Sequence, residues 1–337
     1  MNKKIGKQTI KFLNPPVITS TSSITGPKEG EGPLKEYFDI IRKDILNGCE
    51  SWEKAESQYV YDNIKNICEK SNTKFEDIDY IISGDLLNQN TGTIFGIRDF
   101  GIPFMGVFSA CSTIGEAIGL GAILIDGGYA NKVISSASSH FCSAEKQFRF
   151  PLDLGTQRPP TSTWTVTGDG AVIIEKKGKG PKITHITTGK IIDMGIKDIN
   201  NMGAIMAPAA VETLYAHFIE TNRDPSYYDV IATGDLGYLG RDIVRKLMNE
   251  KSYDMTLNYT DCGIEIFDRK KQDTHCGGSG CACSAVTFAG YYYKKLINKE
   301  IKNILFVPTG ALMSTTIAQQ NESIPAIAHA VAIENLE

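Results

Sequence analysis

The residues best suited to chemistry in this chain gather around Cys111, in the run Ala110-Cys111-Ser112-Thr113-Ile114-Gly115. An apolar segment from Phe104 to Phe108 leads into it, and a proline-free stretch rich in Ala, Ile, Leu and Gly follows over residues 116–125. The pattern predicts a buried strand delivering the cysteine to the start of a buried helix. At such a position the helix dipole and free backbone N–H groups lower a thiol's pKa and favour any bound anion. Cys111 is therefore either a nucleophile or the floor of an anion pocket. His275, Cys276, Cys281 and Cys283 are dense enough to raise zinc, but their gaps do not form the paired short knuckles of zinc sites, so no metal is assigned. Cys49, Cys68, Cys142 and Cys262 are scattered and read as packing residues. His185, His217 and His329 have no pocket-forming neighbours in the sequence and read as structural.

The chain has 337 residues, 42% hydrophobic and 22% charged, enough for two cores. With a formal net charge of −4 nothing suggests a basic nucleic-acid surface, and no nucleic-acid partner is expected. The N-terminal run is basic with an apolar stretch too short for a signal peptide, and no transmembrane segment is expected. Eight cysteines without a secretory signal favour reduced thiols.

Two stretches echo one another. Ile78-Asp79-Tyr80-Ile81-Ile82-Ser83-Gly84-Asp85-Leu86 matches Tyr228-Asp229-Val230-Ile231-Ala232-Thr233-Gly234-Asp235-Leu236 at an offset of 150 positions. Each follows an amphipathic helix, over about 56–70 and 208–220, and ends an apolar strand at Gly-Asp-Leu. The echo continues through a small-residue helix start (Cys111 in one copy, 280–293 in the other), a strand (132–137 and 303–307) and a closing apolar strand (170–175 and 328–334). Alternating strands and helices imply crossovers and parallel pairing. Two such halves, 1–178 and 179–337, predict an α/β fold of five layers, αβαβα, with two small-residue helices buried between the sheets. Residues 14–33, with four prolines and three glycines, read as a long flexible loop.

A duplicated α/β body with Ala-Cys-Ser at a buried helix start resembles the thiolase superfamily, which includes the ketoacyl-ACP synthases. Gly168-Asp169-Gly170-Ala171 and Pro308-Thr309-Gly310-Ala311 stand where that superfamily carries its other signatures. A narrower set of strings, Glu145-Lys146-Gln147-Phe148-Arg149-Phe150-Pro151, Gln157-Arg158-Pro159-Pro160-Thr161, Trp164-Thr165-Val166-Thr167-Gly168 and Met313 through Gln320, resembles the stage V sporulation protein AD family. That resemblance implies a protein of spore formers that binds dipicolinic acid or its calcium chelate. It implies action with the membrane channel components of its sporulation operon, at the inner membrane of the forespore or spore through those partners. It also implies a homodimer, with the edge strand of the first half at about 132–137, and no cofactor, calcium entering only with the ligand.

Condensing enzymes of the superfamily pair the cysteine with two groups from the second half, His/His or His/Asn. Here the loop after the second-half strand reads Gly234-Asp235-Leu236-Gly237 without histidine, and an aspartate beside a thiol raises its pKa. His275 lies near the second expected position, where the asparagine is replaced by Gly or Ser. An incomplete base forfeits roughly 10²–10⁴ in rate. The alternative is an acyltransferase using Cys111 with His140 or His275 as an atypical partner. For a planar dicarboxylate, the expected ligand residues are Cys111, His140, Phe148, Arg149, Asp235 and His275. Arg158 offers a second guanidinium, Phe141, Phe150 and Trp164 offer ring surface, and Asp235 or Asp169 offers oxygen to a chelated calcium.

Overall fold

The computed structural model describes residues 3–148 and 158–336. Its first half runs β1 (Val17–Thr25), α1 (Trp52–Ser71), β2 (Tyr80–Gly84), α2 (Thr91–Ile97), β3 (Phe104–Gly106), α3 (Thr113–Asp126), β4 (Lys132–Ser139), α4 (Phe141–Phe148) and β5 (Gly168–Glu175). The second runs β6 (Lys182–Thr187), α5 (Met202–Thr221), β7 (Val230–Thr233), α6 (Gly237–Glu250), β8 (Tyr259–Asp261), α7 (Cys281–Val286), β9 (Asn303–Val307) and β10 (Ala330–Glu334).

The strands order as β1-β5-β4-β2-β3 and β6-β10-β9-β7-β8, the same sequence twice. In each set the first two pairings are antiparallel and the last two parallel. The sets meet at one residue pair, Val17 opposite Lys182. The expected parallel pairing holds for β4-β2-β3 and β9-β7-β8, whereas the closing strands β5 and β10 return antiparallel beside β4 and β9.

The layers follow from the residues. α1 buries Val60, Ile64 and Ile67 against Ile81, Ile134 and Ile173 of the first sheet. Each such side chain contributes about 1.5–3 kcal/mol. α5 does the same for the second sheet with Leu214 and Phe218 over Ile231 and Leu305. Both helices begin at a side-chain cap, Ser51 accepting from the Lys54 N–H and Asn201 from that of Ala204, and both end at a left-handed asparagine, Asn72 and Asn222. α3 lies between the sheets. Gly121 faces Ser135, Val133 and Ile174 of one half, while Gly115 and Gly119 face His329 and Ile186 of the other. The rod begun by α7 also lies inside, its Ala285 backbone against Gly170 of β5. This is the thiolase-like αβαβα arrangement.

Several local expectations change. Residues 14–33 are not a flexible loop: β1 runs through them, almost wholly buried. Its Thr and Ser side chains make the stretch look polar, yet Ser22 and Thr21 hydrogen-bond inside, to Asn63 and to the Ala289 carbonyl. β3 is a short, largely exposed edge strand rather than a buried one. The segment 132–137 belongs to β4, which is interior, so the free edge of the first half is β3. α5 starts earlier than expected and contains Pro208. By length and composition α5 could cross a membrane, with mean hydropathy 1.2, but most of it is buried as a core helix.

Candidate functional site

Cys111 stands on a tight turn between β3 and α3. Ala110, just before it, has φ +48°, a left-handed conformation uncommon for a residue with a side chain. The turn is held from all sides. Thr113 Oγ1 donates to the Ala110 carbonyl at 2.6 Å, Ser112 Oγ to the Ser109 carbonyl at 2.7 Å, and Cys281 Sγ to the Ala110 carbonyl at 2.9 Å. α3 begins at Thr113, so Cys111 lies just outside its first turn.

Asp235 faces the thiol from the end of β7. It is fully buried, accepting from Thr309 Oγ1 at 2.8 Å, Ser279 Oγ at 2.9 Å and the Gly280 N–H at 3.2 Å. Burial raises the Asp235 pKa to about 6, with the hydrogen bonds from Thr309, Ser279 and the Gly280 N–H pulling it back. Burial also pushes the Cys111 thiol well above its ordinary value, and the Asp235 charge adds to that. The thiol is thus held protonated, opposite to the lowering that a helix start alone predicts.

A crosswise counterpart exists. Cys281 opens α7 after Gly280, whose φ is +95°, and its thiol is raised by burial and then by Asp85, the first-half partner of Asp235 in the repeat. Each half therefore sets its cysteine against the aspartate of the other. Cys281 is fully buried, whereas Cys111 opens onto a cavity of about 50 Å³. Leu86, Phe108, Met202, Met206 and Met313 form the cavity's apolar walls, and Thr163, Thr165, Glu145 and Ser279 are the polar ones.

A model of the family described as "Stage V sporulation protein AD (SpoVAD)" matches residues 6–334. Stage V sporulation protein AD of Bacillus subtilis (strain 168) is 42% identical over 332 residues, covering 98% of each chain. The chain belongs to the stage V sporulation protein AD family. It is accordingly a sporulation protein. Among solved structures, 3-oxoacyl-[acyl-carrier-protein] synthase III of Aquifex aeolicus VF5 superposes with TM-score 0.59 at 12% identity, covering 95% of this chain and 100% of that one. An OleA variant of Xanthomonas campestris superposes with TM-score 0.58 at 12% identity, covering 96% and 99%. At such identity these likenesses show the thiolase-like fold alone.

The structure brings Cys111 and Asp235 together and sets the two histidines apart from them. His140 is fully buried under α1, its Nε2 2.9 Å from the Ile45 carbonyl and its Nδ1 accepting from the Ser143 N–H. Its ring has both nitrogens engaged away from the cavity. His275 lies on the loop before β-bridge residues 278–279, with Nδ1 2.8 Å from the Pro159 carbonyl and Nε2 3.0 Å from Asp273. Neither lines the cavity. Arg149, Phe150 and the Phe148 side chain lie outside the described residues. Arg158 donates to the Asp273 carbonyl at 2.6 Å, and its guanidinium stacks 4.8 Å over Trp164. Phe141 stacks on Trp164 with centroids 3.9 Å apart, and Lys28 Nζ sits 4.0 Å over the same indole. Asp169 is buried between β5 and α1, accepting from Asn63, and burial raises its pKa to about 8. No group of three or more His, Cys, Asp or Glu able to hold a metal ion occurs among the described residues.

Sequence reasoning missed Glu145 and the methionines. Glu145 is buried, accepts from Thr165 Oγ1 at 3.0 Å and lines the cavity. The i, i+4 spacing of Met202 and Met206 at a helix start was the available signal, but a core stripe has the same spacing.

Proposed function

We propose that this protein is a binding protein for dipicolinic acid, or its calcium chelate, and not a condensing enzyme. The observation that carries the reading is the buried Asp235 carboxylate set against Cys111. Burial first, and then the aspartate's charge, hold the thiol protonated, and neither His140 nor His275 lines the cavity to act as a general base. What remains is a cavity with apolar walls and a few polar groups, the composition of a recognition site. Leu86, Phe108 and the methionines would take the pyridine ring. The Thr163 hydroxyl would meet a carboxylate, while the Thr165 and Ser279 hydroxyls, whose O–H groups are committed to Glu145 and Asp235, would turn their oxygens toward chelated calcium. If calcium enters with the ligand, it prefers oxygen ligands, and the oxygens that line the cavity are of that kind. At about 50 Å³ the cavity must widen for such a ligand, and unbranched methionine side chains rotate readily to allow it.

In this reading the protein works with membrane proteins of the same sporulation operon to move the ligand into the developing spore, and sits at the inner membrane through them. It does so as a homodimer joined through β3, where Met105 and Phe108 are exposed. Isothermal titration with dipicolinate, with and without calcium, tests the binding; absence of heat under both conditions rejects it. The second reading, an acyltransferase, rests on the strained turn that presents Cys111 to the cavity. Intact-mass measurement after incubation with acyl-CoA distinguishes the two, since an acyl adduct on Cys111 would support the enzyme.

A further inference from the structure

We infer that the end of the molecule opposite the Cys111 cavity is a docking face for a membrane surface bearing anionic headgroups. This goes beyond attachment through protein partners, because the contact is with the lipid itself.

α3 spans the body from the Cys111 turn to Asp126, about 20 Å at 1.5 Å per residue. At its far end β1 begins, β5 ends, and β4 and β6 begin. There the Phe12 N–H donates to the Thr184 carbonyl, the Ile183 N–H to the Pro16 carbonyl, the Ile18 N–H to the Pro181 carbonyl and the Lys176 N–H to the Asn131 carbonyl. These tie residues 11–18, 131–132 and 175–184 into one surface. The Asn14 N–H joins it to Asp126, and the Lys11 N–H joins it to the Lys3 carbonyl.

That surface is dense in lysine although the chain as a whole is acidic. The turn between β5 and β6 reads Lys176-Lys177-Gly178-Lys179-Gly180-Pro181-Lys182, with residues 176–179 all exposed. Lys11 is exposed beside it. Lys11, Lys176, Lys177, Lys179 and Lys182 make no ion pair among the described residues. The carboxylates nearby are already engaged: Asp126 by Lys3 at 2.9 Å, Glu175 by Lys132 at 2.7 Å, and Asp79 by the backbone N–H groups of Asn131 and Lys132. The field at this end is therefore positive and open.

Two apolar side chains stand among the lysines. Tyr129 is 75% exposed and Leu13 40%. A soluble partner carrying acidic residues would satisfy the lysines but would leave these two uncovered. A bilayer interface satisfies both, since anionic headgroups attract a polybasic cluster while tyrosine and leucine enter the headgroup boundary. In that orientation the Cys111 cavity faces away from the lipid, free for ligand.

The test is co-sedimentation of the full chain with vesicles of phosphatidylglycerol and phosphatidylcholine, against phosphatidylcholine alone, at low and high salt. The expected result is binding to the anionic vesicles only, weakened by salt. The triple variant Lys176→Glu/Lys177→Glu/Lys179→Glu changes exposed turn residues without a packing role and should lower the vesicle affinity at least tenfold. Tyr129→Ser should lower it several-fold without altering the salt dependence. The control Lys246→Glu/Lys270→Glu/Lys271→Glu, on other surfaces, should bind as the parent does. No binding to anionic vesicles, equal binding to neutral ones, or equal losses in the triple variant and the control would each overturn the inference. Dipicolinate titration of the triple variant is a separate readout: its affinity for ligand should be unchanged, so failure of the ligand-binding reading and failure of this one are told apart.

Discussion

The buried Asp235 carboxylate of the second half acts on the Cys111 thiol of the first across their junction, its charge adding to the burial that raises the thiol. A cysteine at a helix start is ordinarily activated by the backbone around it. Here burial works against ionisation, and the negative charge of a buried carboxylate adds to it. The same residue accepts from Ser279, the Gly280 N–H and Thr309, and so positions Ser279 and Gly280 on the cavity wall.

Replacing Asp235 by Asn should lower the midpoint of the Cys111 thiol titration, because the repelling charge is gone. Alkylation by iodoacetamide at pH 8 should rise several-fold, a full pKa unit corresponding to about tenfold in the thiolate population. The variant should also lose about 1–3 kcal/mol of stability, since an amide cannot accept from every donor that now meets the carboxylate. A thiol midpoint unmoved by the substitution would mean that burial alone sets it.

Cys111→Ala should leave dipicolinate affinity within about tenfold of the parent, the thiol being one wall contact among many. Loss of all titration heat in a variant that melts like the parent would show instead that the sulfur is indispensable to the site.

Thermal stability should decline as the pH rises from 6.5 to 8.5. Burial raises Asp169 to about 8, and Asp261 and Glu29 to about 7. The native state therefore keeps protons that the unfolded chain has already released, and stability falls as pH rises through those values. The buried histidines act in the other direction but at lower pH. His185 and His329 are depressed to about 4, so their effect is a gain between about 4 and 6.5 that is complete by the start of this window. Asp169→Asn should flatten the decline by about 1–2 kcal/mol. Melting curves of both proteins across the range provide the check; a parallel decline in the variant would remove Asp169 as its source.

Gly310→Ala should destabilise the protein by about 1–3 kcal/mol. An added Cβ would lie 2.2 Å from the Ser109 carbonyl and 3.0–3.1 Å from the Ser112 and Cys111 nitrogens, all backbone atoms that cannot rotate away. Because the turn that carries Cys111 must then shift, the alkylation rate of Cys111 should change along with the urea midpoint. A stability loss with an unchanged alkylation rate would mean the strain is relieved elsewhere.

Phe108→Glu should convert a dimer to a monomer in sedimentation velocity at micromolar concentration. Phe108 is 48% exposed just beyond β3, the free edge of the first sheet, where a second copy would extend the ladder. A monomeric parent would remove the dimer from the proposed function.

The sequence by itself determined the architecture. Tyr80–Gly84 and Val230–Thr233, found as an echo, are equivalent strands in two sheets of identical order. Repetition and apolar periodicity are local properties of the chain, so they survive without coordinates. It also determined that the loop after β7 holds an aspartate and no histidine. Only the tertiary structure shows which strand is an edge: β3 pairs with β2 alone, whereas β4 pairs with both β2 and β5. It alone decided that His140 turns to the Ile45 carbonyl while Glu145, in the following helix, reaches the cavity. A side chain's direction depends on neighbours far away in the sequence and on which of them satisfies its hydrogen bonds, and neither is encoded in spacing. The pairing of Cys111 with Asp235 belongs to the same class: one residue comes from a helix start, the other from a strand end of the opposite half, and only the packing of α3 between the sheets brings them into contact.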